Sequence, residues 1–396
     1  MKVVQINSVC GSGSTGKICV SISESLTANG IENYVLYAAD GCRYPLSESY
    51  MSVSEVRMQA LKAKAFGNYG FYSKAATKRL IAKLEEISPD IVQLHNLHGH
   101  NVHLGMLFSY FKERKIKIFW TFHDCWAFTA YCMYFDTVQC NRWQSGCENC
   151  PQRKKYSWFF DKSHSLYEKK KELFSGLDMT IITPSHWLAE LTKKSFLGNY
   201  PIEVIHNGID LTLFSPQPSD FREKYGISKD QKILLGVANK WEFRKGLDVF
   251  LCLAEKLDKT KFKIVLVGTN DAVDKKIPSE ILSIHRTANQ KELAEIYSAA
   301  DFFVNPTRED NFPTVNIEAL ACGTPVITFD IGGSPEALDK ESGMVINQDD
   351  FEELRCVIED ENISLTSNAC LKRASEFNQI DKFREYIDLY CFNFIS

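Results

Sequence analysis

Short runs of β-branched and aliphatic residues alternate along this chain with longer stretches whose apolar positions recur at helical spacing. Val3–Ile6, Tyr34–Tyr37, Ile91–Leu94, Ile116–Thr121 and Met179–Thr183 read as strands, with helices such as Lys17–Asn29 and Lys74–Ile87 between them. A second series follows: Val204–Ile205, Ile233–Val237, Lys263–Val267, Phe302–Asn305 and Val326–Phe329. Helices at Gly246–Leu257, Gln290–Ala299 and Thr314–Ala321 separate its members. Alternation of this kind predicts a parallel sheet wrapped by helices, and two series predict two doubly wound α/β domains. Ligands in such sheets bind at the carboxyl ends of the strands. Gly208, Pro216 and Pro218 punctuate HNGIDLTLFSPQP, so the expected domains are 1–207 and 208–378, followed by an aromatic-rich helix over 379–396.

Bulk properties narrow the class. A length of 396 residues suits two or three domains at roughly 100–200 residues each. A net charge of −4 gives no electrostatic case for nucleic acid. No apolar run approaches the ~18 residues that span a bilayer, and MKVVQINSV opens directly into a strand without a signal-peptide pattern. A cytoplasmic location is therefore expected. The 13 cysteines are odd in number and mostly scattered through apolar segments, as in a reducing compartment.

The richest stretch is NPTREDNFPTVNIEALACGTPVITFD, Asn305 to Asp330. It reads as a charged loop, a short helix and a buried strand, with Gly323-Thr-Pro325 ending the helix. Asp310 and Glu318 are eight positions apart, close to two turns at ~3.6 residues each. Asp310 thus stands before the helix and Glu318 inside it. Unpaired N–H groups at a helix start attract anions, and ionised carboxylates accept hydrogen bonds from sugar hydroxyls.

This stretch resembles the signature of the retaining nucleotide-sugar glycosyltransferases of family 4: Glu, seven residues, Glu, then Ala-x-Ala-x-Gly-x-Pro-Val. Here Glu318-Ala-Leu-Ala-Cys-Gly-Thr-Pro-Val326 carries the second half, and Asp310 replaces the first Glu. Glu309 is adjacent but one position out of register. The resemblance implies the GT-B architecture, two Rossmann-like domains facing across a cleft, with the last helix crossing back onto the N-terminal one. It implies transfer of a sugar from a UDP- or GDP-sugar with retention, no divalent metal in catalysis, and a place in bacterial capsule, O-antigen or exopolysaccharide assembly. Glu318 would hold the donor ribose. Asp310 and the backbone after it, through Asn311, Phe312 and Thr314, would hold the sugar.

Other segments fit the same likeness. In GVANKWEFRKGLDVF, Lys240, Arg244 and Lys245 gather at a strand-to-helix turn where cations can neutralise a diphosphate. Lys245-Gly246 matches the family's Lys-Gly, while Asn239 stands where its Arg is usual. Asn207-Gly-Ile-Asp210 matches a further family element. Gly11-Ser-Gly13-Ser-Thr-Gly16-Lys17 nearly fits a phosphate loop, but Ile18 replaces the metal-binding hydroxyl. Gly13 and Gly16 read better as a close-approach loop facing the donor, or as a simple strand–helix turn. Trp120-Thr-Phe-His123-Asp124 resembles the family's strand end, whose histidine contacts the transferred sugar. His123 is the expected catalytic residue, with Asp124 orienting it. His95, His98, His100 and His103 match no metal-ligand spacing.

Two segments lie outside that pattern. Cys132, Cys140, Cys147 and Cys150 include a Cys-x-x-Cys and read either as a structural zinc site or as free thiols. Between Arg57 and Leu84 there are six further lysines and arginines, no acidic residue, and interleaved Phe66, Tyr69, Phe71 and Tyr72. That stretch reads equally as a solvated helix face or as peripheral contact with an anionic membrane carrying a polyprenyl-linked saccharide acceptor. The rival readings of the whole chain are a nucleotide-sugar epimerase of the same architecture and a non-catalytic zinc-stabilised binding protein.

Overall fold

The computed structural model describes residues 1–39, 41 and 44–395; Ser396, the end of the expected last helix, lies outside them. The chain forms two compact units, one of residues 1–206 with 382–396 and one of 207–381.

The first unit holds seven strands: β1 Lys2–Asn7, β2 Glu32–Tyr37, β3 Ser47–Ser49, β4 Ile91–Leu94, β5 Lys117–Thr121, β6 Met179–Thr183 and β7 Ile202–Val204. Their order is β3-β2-β1-β4-β5-β6-β7, and every pair is parallel. Helices cover both faces, so β4 and β6 are buried along their whole length, which is why they read as mostly apolar runs without a polar face. The C-terminal helix Gln379–Ile395 sets Phe383, Tyr386, Ile387 and Tyr390 against Val3, Ile91, Phe119 and Ile182. The Tyr390 hydroxyl donates to Gln93 Oε1 at 2.7 Å, and Thr121 Oγ1 donates to the Tyr386 hydroxyl at 3.3 Å.

The second unit holds β8 Lys232–Val237, β9 Phe262–Val267, β10 Leu282–Ile284, β11 Phe302–Asn305, β12 Val326–Phe329 and β13 Gly343–Ile346. Their order is β10-β9-β8-β11-β12-β13, again parallel throughout. Helix Thr314–Ala321 links β11 to β12. Its buried Asn316 donates to the Ser334 carbonyl (3.1 Å) and hydroxyl (3.0 Å) and accepts from Asn305 Nδ2 at 2.8 Å.

The sequence reading needs correction at the sheet margins. Val204–Ile205 was expected in the second series, yet Ile202–Val204 pairs with β6 as the edge of the first sheet. β3, β10 and β13 had no strand signal. Edge strands have one neighbour and carry short, partly polar sequences, as Ser-Glu-Ser in β3 does.

Candidate active site

A doubly wound sheet opens a crevice where strand order reverses, because the loops on either side lead their helices to opposite faces. In the first unit that point lies between β1 and β4. The loop after β1 leads into helix Gly13–Ala28. Gly13 opens this helix with φ +62 in open space, whereas Gly16 is buried and a Cβ there would stand 3.0 Å from the Gly11 nitrogen. Gly16 therefore lets the loop fold tightly over the helix start, and the Gly11 N–H donates to its carbonyl at 2.9 Å.

Across the crevice, His95 directly follows β4 and His123 lies two residues past β5. His95 Nδ1 and His123 Nε2 lie 3.1 Å apart, and His95 Nε2 lies 3.1 Å from Gln5 Oε1 on β1. The Gln5 amide donates to the Cys19 carbonyl at 2.9 Å, which fixes its oxygen as the acceptor. Burial, with His123 beside it, holds His95 neutral, its pKa well below the ordinary histidine value. Burial also lowers His123 to about 4, against the opposing pull of Asp124. With both rings neutral the proton positions follow. His95 donates from Nε2 to Gln5, so its Nδ1 is the acceptor. His123 then donates from Nε2 and carries its lone pair on Nδ1. Asp124 does not serve as the expected orienting partner. Its carboxylate meets His98 Nε2 at 2.9 Å and accepts from the Trp126 N–H at 2.9 Å. Burial raises its pKa, but His98 and these hydrogen bonds bring it below the ordinary value.

In the second unit the reversal lies between β8 and β11, and the two loops flanking it are the two motif segments of the sequence. After β8, Phe243–Lys245 form a tight turn into helix Leu247–Lys256. Gly246 has φ +72, and a Cβ there would lie 2.4 Å from the Pro306 carbonyl, so only glycine admits this contact. Lys245 Nζ pairs with Asp310, whose other oxygen accepts the Asn311 N–H at 3.0 Å. Arg244 Nη1 donates to the Glu309 carbonyl at 3.0 Å. Lys240 stands apart from them. Its side chain is 74% exposed and pairs with Glu242 at 3.0 Å.

The loop after β11 is held from beneath by Arg308, whose side chain is 3% exposed. Arg308 bonds both oxygens of Asp248 (2.8 and 2.7 Å), Asp349 (2.8 Å) and the Phe243 carbonyl (2.6 Å). Its guanidinium also stacks 3.9 Å from the Phe243 ring centre. Glu309 is buried, so Asp310 is the carboxylate offered beside Lys245. Phe312 commits its ring to the core against Phe377 (5.6 Å), while its carbonyl accepts from Asn207 Nδ2 at 3.4 Å. Thr314 opens the helix, and no side chain caps that end. Glu318 lies four residues in, about 6 Å along the axis at 1.5 Å per residue. The buried Tyr297 hydroxyl donates to it at 3.2 Å. Each unit thus gathers its candidate residues at its own strand-order reversal.

Sequence reasoning missed His95, Gln5, Arg308 and Tyr297. All four act through partners distant in sequence, and no spacing pattern marks them. It also missed Gly332, whose Cβ would stand 1.9 Å from the Asp310 carbonyl oxygen. The four cysteines surround a small cavity of their own, and among the described residues no three of their sulfurs lie within 4.8 Å of one another.

Residues 15–213 match the family described as Glycosyltransferase Family 4, and residues 231–360 that described as Glycosyl transferases group 1. A putative colanic acid biosynthesis glycosyl transferase of Escherichia coli K12 is 22% identical over 379 residues, 89% of each chain. Among solved structures, a sucrose-phosphate synthase from Thermosynechococcus elongatus aligns with a TM-score of 0.71 at 18% identity, covering 100% of this chain and 99% of that one. Anabaena HepE in complex with UDP-glucose aligns at 0.68 and 14% identity, covering 99% of each. These likenesses identify the fold as GT-B, built from two Rossmann-like units.

Proposed function

Because the chain belongs to glycosyltransferase family 4, and so is a transferase of glycosyl groups, we propose that it moves a sugar from a nucleoside diphosphate donor to a lipid-linked saccharide, with retained configuration. The context is assembly of a cell-surface polysaccharide. The observation that carries this reading is the reversal point of the second sheet. Lys245, paired with Asp310, Arg244, bonded to the Glu309 carbonyl, and the uncapped start of helix Thr314–Ala321 gather there and would meet an anion, and Asp310 and Glu318 would meet hydroxyl donors. A diphosphate leaving group needs its growing charge met there. The anomeric carbon loses its bond to the diphosphate oxygen and gains one to the acceptor oxygen. The acceptor proton passes to the departing phosphate on the same face of the sugar. His123 would contact the transferred sugar, as the family resemblance implies.

The acceptor class is supported by an exposed face of the first unit. Met58, Leu61 and Phe66 are exposed on helix Val53–Phe66, and Trp158, Phe159 (70% exposed) and Phe160 adjoin them. The Trp158 N–H donates to the Lys64 carbonyl at 2.7 Å, joining the two segments. Lys62, Lys64, Lys154, Lys155 and Lys162 are exposed in the same two segments, with Asp161 among them, and Lys162 Nζ lies 5.7 Å from the Phe160 ring centre. Tyr69 is buried and Phe71 and Tyr72 are partly so. Of the aromatics read from the sequence only Phe66 is therefore exposed, and the 158–160 loop supplies further apolar side chains. Exposed aromatic groups with lysines in the same segments suit an anionic lipid surface.

Calorimetric titration with UDP and GDP tests the donor site. One nucleotide should bind, and Lys245→Met and Glu318→Ala should each weaken it about 10–100-fold, the worth of a charge-assisted contact. No binding to a folded chain would overturn the donor reading. For the acceptor side, Trp158→Glu with Phe159→Glu should cut flotation with anionic vesicles by at least about tenfold. Equal flotation of the wild-type chain with neutral and anionic vesicles would refute a lysine-assisted surface.

A further inference from the structure

The segment from Thr129 to Pro151 contains no strand and no α-helix; only short turns at Asp136–Val138 and Arg142–Gln144 interrupt it. Its apolar anchor is Trp143, packed between Phe135 and Phe128 at 5.2 Å each. Ordering a residue costs about 1–2 kcal/mol of backbone entropy, and here no sheet ladder offsets that cost. From this segment we propose that Cys132, Cys140, Cys147 and Cys150 bind one zinc ion as four thiolates, a structural site independent of glycosyl transfer.

Three observations carry the proposal. All four cysteines line one cavity of about 20 Å³, above the roughly 10–15 Å³ that a single water-sized occupant needs. An N–H group is aimed at one of the sulfurs. The Gln152 side-chain amide donates to Cys132 Sγ at 3.6 Å. A neutral thiol is a weak acceptor, whereas metal-bound thiolates are held by such outer donors. Basic side chains also border the cluster: Arg142 lines the cavity and Lys170 binds the carbonyl of Thr129 on its wall. Lys170 is completely buried, donates to the Trp126 and Thr129 carbonyls at 2.8 and 2.9 Å, and sits 3.4 Å over the Trp126 ring.

Arg142 clamps the Glu148 and Asn149 carbonyls, which ties down the loop between Cys147 and Cys150. Zinc with four thiolates carries a net charge of −2, and Arg142 and Lys170 are the basic side chains beside it. Binding forms four Zn–S bonds and releases four thiol protons. At a Zn–S length of about 2.3 Å the sulfurs stand roughly 3.8 Å apart, whereas no three of them now lie within 4.8 Å of one another among the described residues, so binding would draw the segment inward. A closed set of four thiolates leaves no open position, as befits a structural site.

The test is metal analysis of the full-length chain after dialysis. About one zinc per chain is expected, released as a mercurial titrates the thiols. Cys147→Ser with Cys150→Ser should lower zinc to below about a tenth per chain, while Cys252→Ser with Cys356→Ser should leave it unchanged. Should the first variant fail to fold, cobalt substituted into the wild-type chain decides. Intense sulfur-to-cobalt charge transfer with tetrahedral d–d bands supports the site. A metal-free chain that stays folded with reduced thiols, an iron content in place of zinc, or a Cys132–Cys150 disulfide in the freshly isolated chain overturns it.

Discussion

Replacing Arg308 with methionine probes the element that holds the candidate donor loop. The side chain is 3% exposed and makes four hydrogen bonds, three to carboxylate oxygens of Asp248 and Asp349 and one to the Phe243 carbonyl. Charge-assisted bonds contribute about 1.5–3 kcal/mol each, so simple addition gives about 6–12. The sum overstates the loss, because Asp248 and Asp349 are 42% and 40% exposed and regain water when released. Methionine also keeps the apolar stem in place. Removing one partner of a buried ion pair costs about 3–5 kcal/mol, and that is the expected destabilisation. For a unit of this size, about 2–4 °C per kcal/mol places the melting shift of the second unit near 6–20 °C. Differential scanning calorimetry resolves that transition, and urea titration gives the free energy. Arg308→Lys should resemble methionine more than wild type, since an ammonium cannot span both Asp248 oxygens and reach Asp349. Nucleotide affinity should fall in both, because the loop that Arg308 anchors carries Asp310. A loss below about 1 kcal/mol in the methionine variant would refute the argument.

Further outcomes follow from the same geometry. His95 and His123 are neutral in the folded chain and protonate near 6.5 once unfolded, so the unfolded state binds more protons below that pH. Stability should be level above pH 6.5 and fall as pH drops from there toward 4, by up to about 1.4 kcal/mol per pH unit for each ring. Urea midpoints at pH 7.5 and 5 measure this, and His123→Asn should flatten the slope; an unchanged slope would count against the neutral relay. Gly332→Ala places a Cβ 1.9 Å from a backbone oxygen at φ +58, which should cost the second unit about 2–4 kcal/mol by urea titration, since backbone cannot step aside as a side chain can. Tyr297→Phe removes the hydroxyl that orients Glu318, so calorimetry should show nucleoside diphosphate binding weakened about 3–10-fold. A Tyr297→Phe chain that binds at wild-type affinity would show Glu318 needs no such partner.

The sequence determined the fold class because its physical cause is local. β4, β6, β11 and β12 are buried on both faces, so each is a mostly apolar run, and their alternation with helical periodicity leaves a parallel sheet as the consistent outcome. The loop–helix–strand reading of Asn305–Asp330 was legible for the same reason: Pro313 and the Gly323-Thr-Pro325 break punctuate it. Edge strands escaped, since a strand with one neighbour needs no apolar signature. Tertiary structure alone decided strand order, and with it the crevices. No residue in Ile91–Leu94 announces that β4 lies between β1 and β5, yet the first adjacency brings Gln5 to His95 and the second brings His95 to His123. Likewise, only the placement of β11 beside β8 sets Arg308 between Asp248 and Asp349 and gives Asp310 to Lys245. Local pattern fixes which segments are strands and helices, because it records the burial of each. Side-chain partners 60 to 90 residues apart are set by the order in which those segments pack.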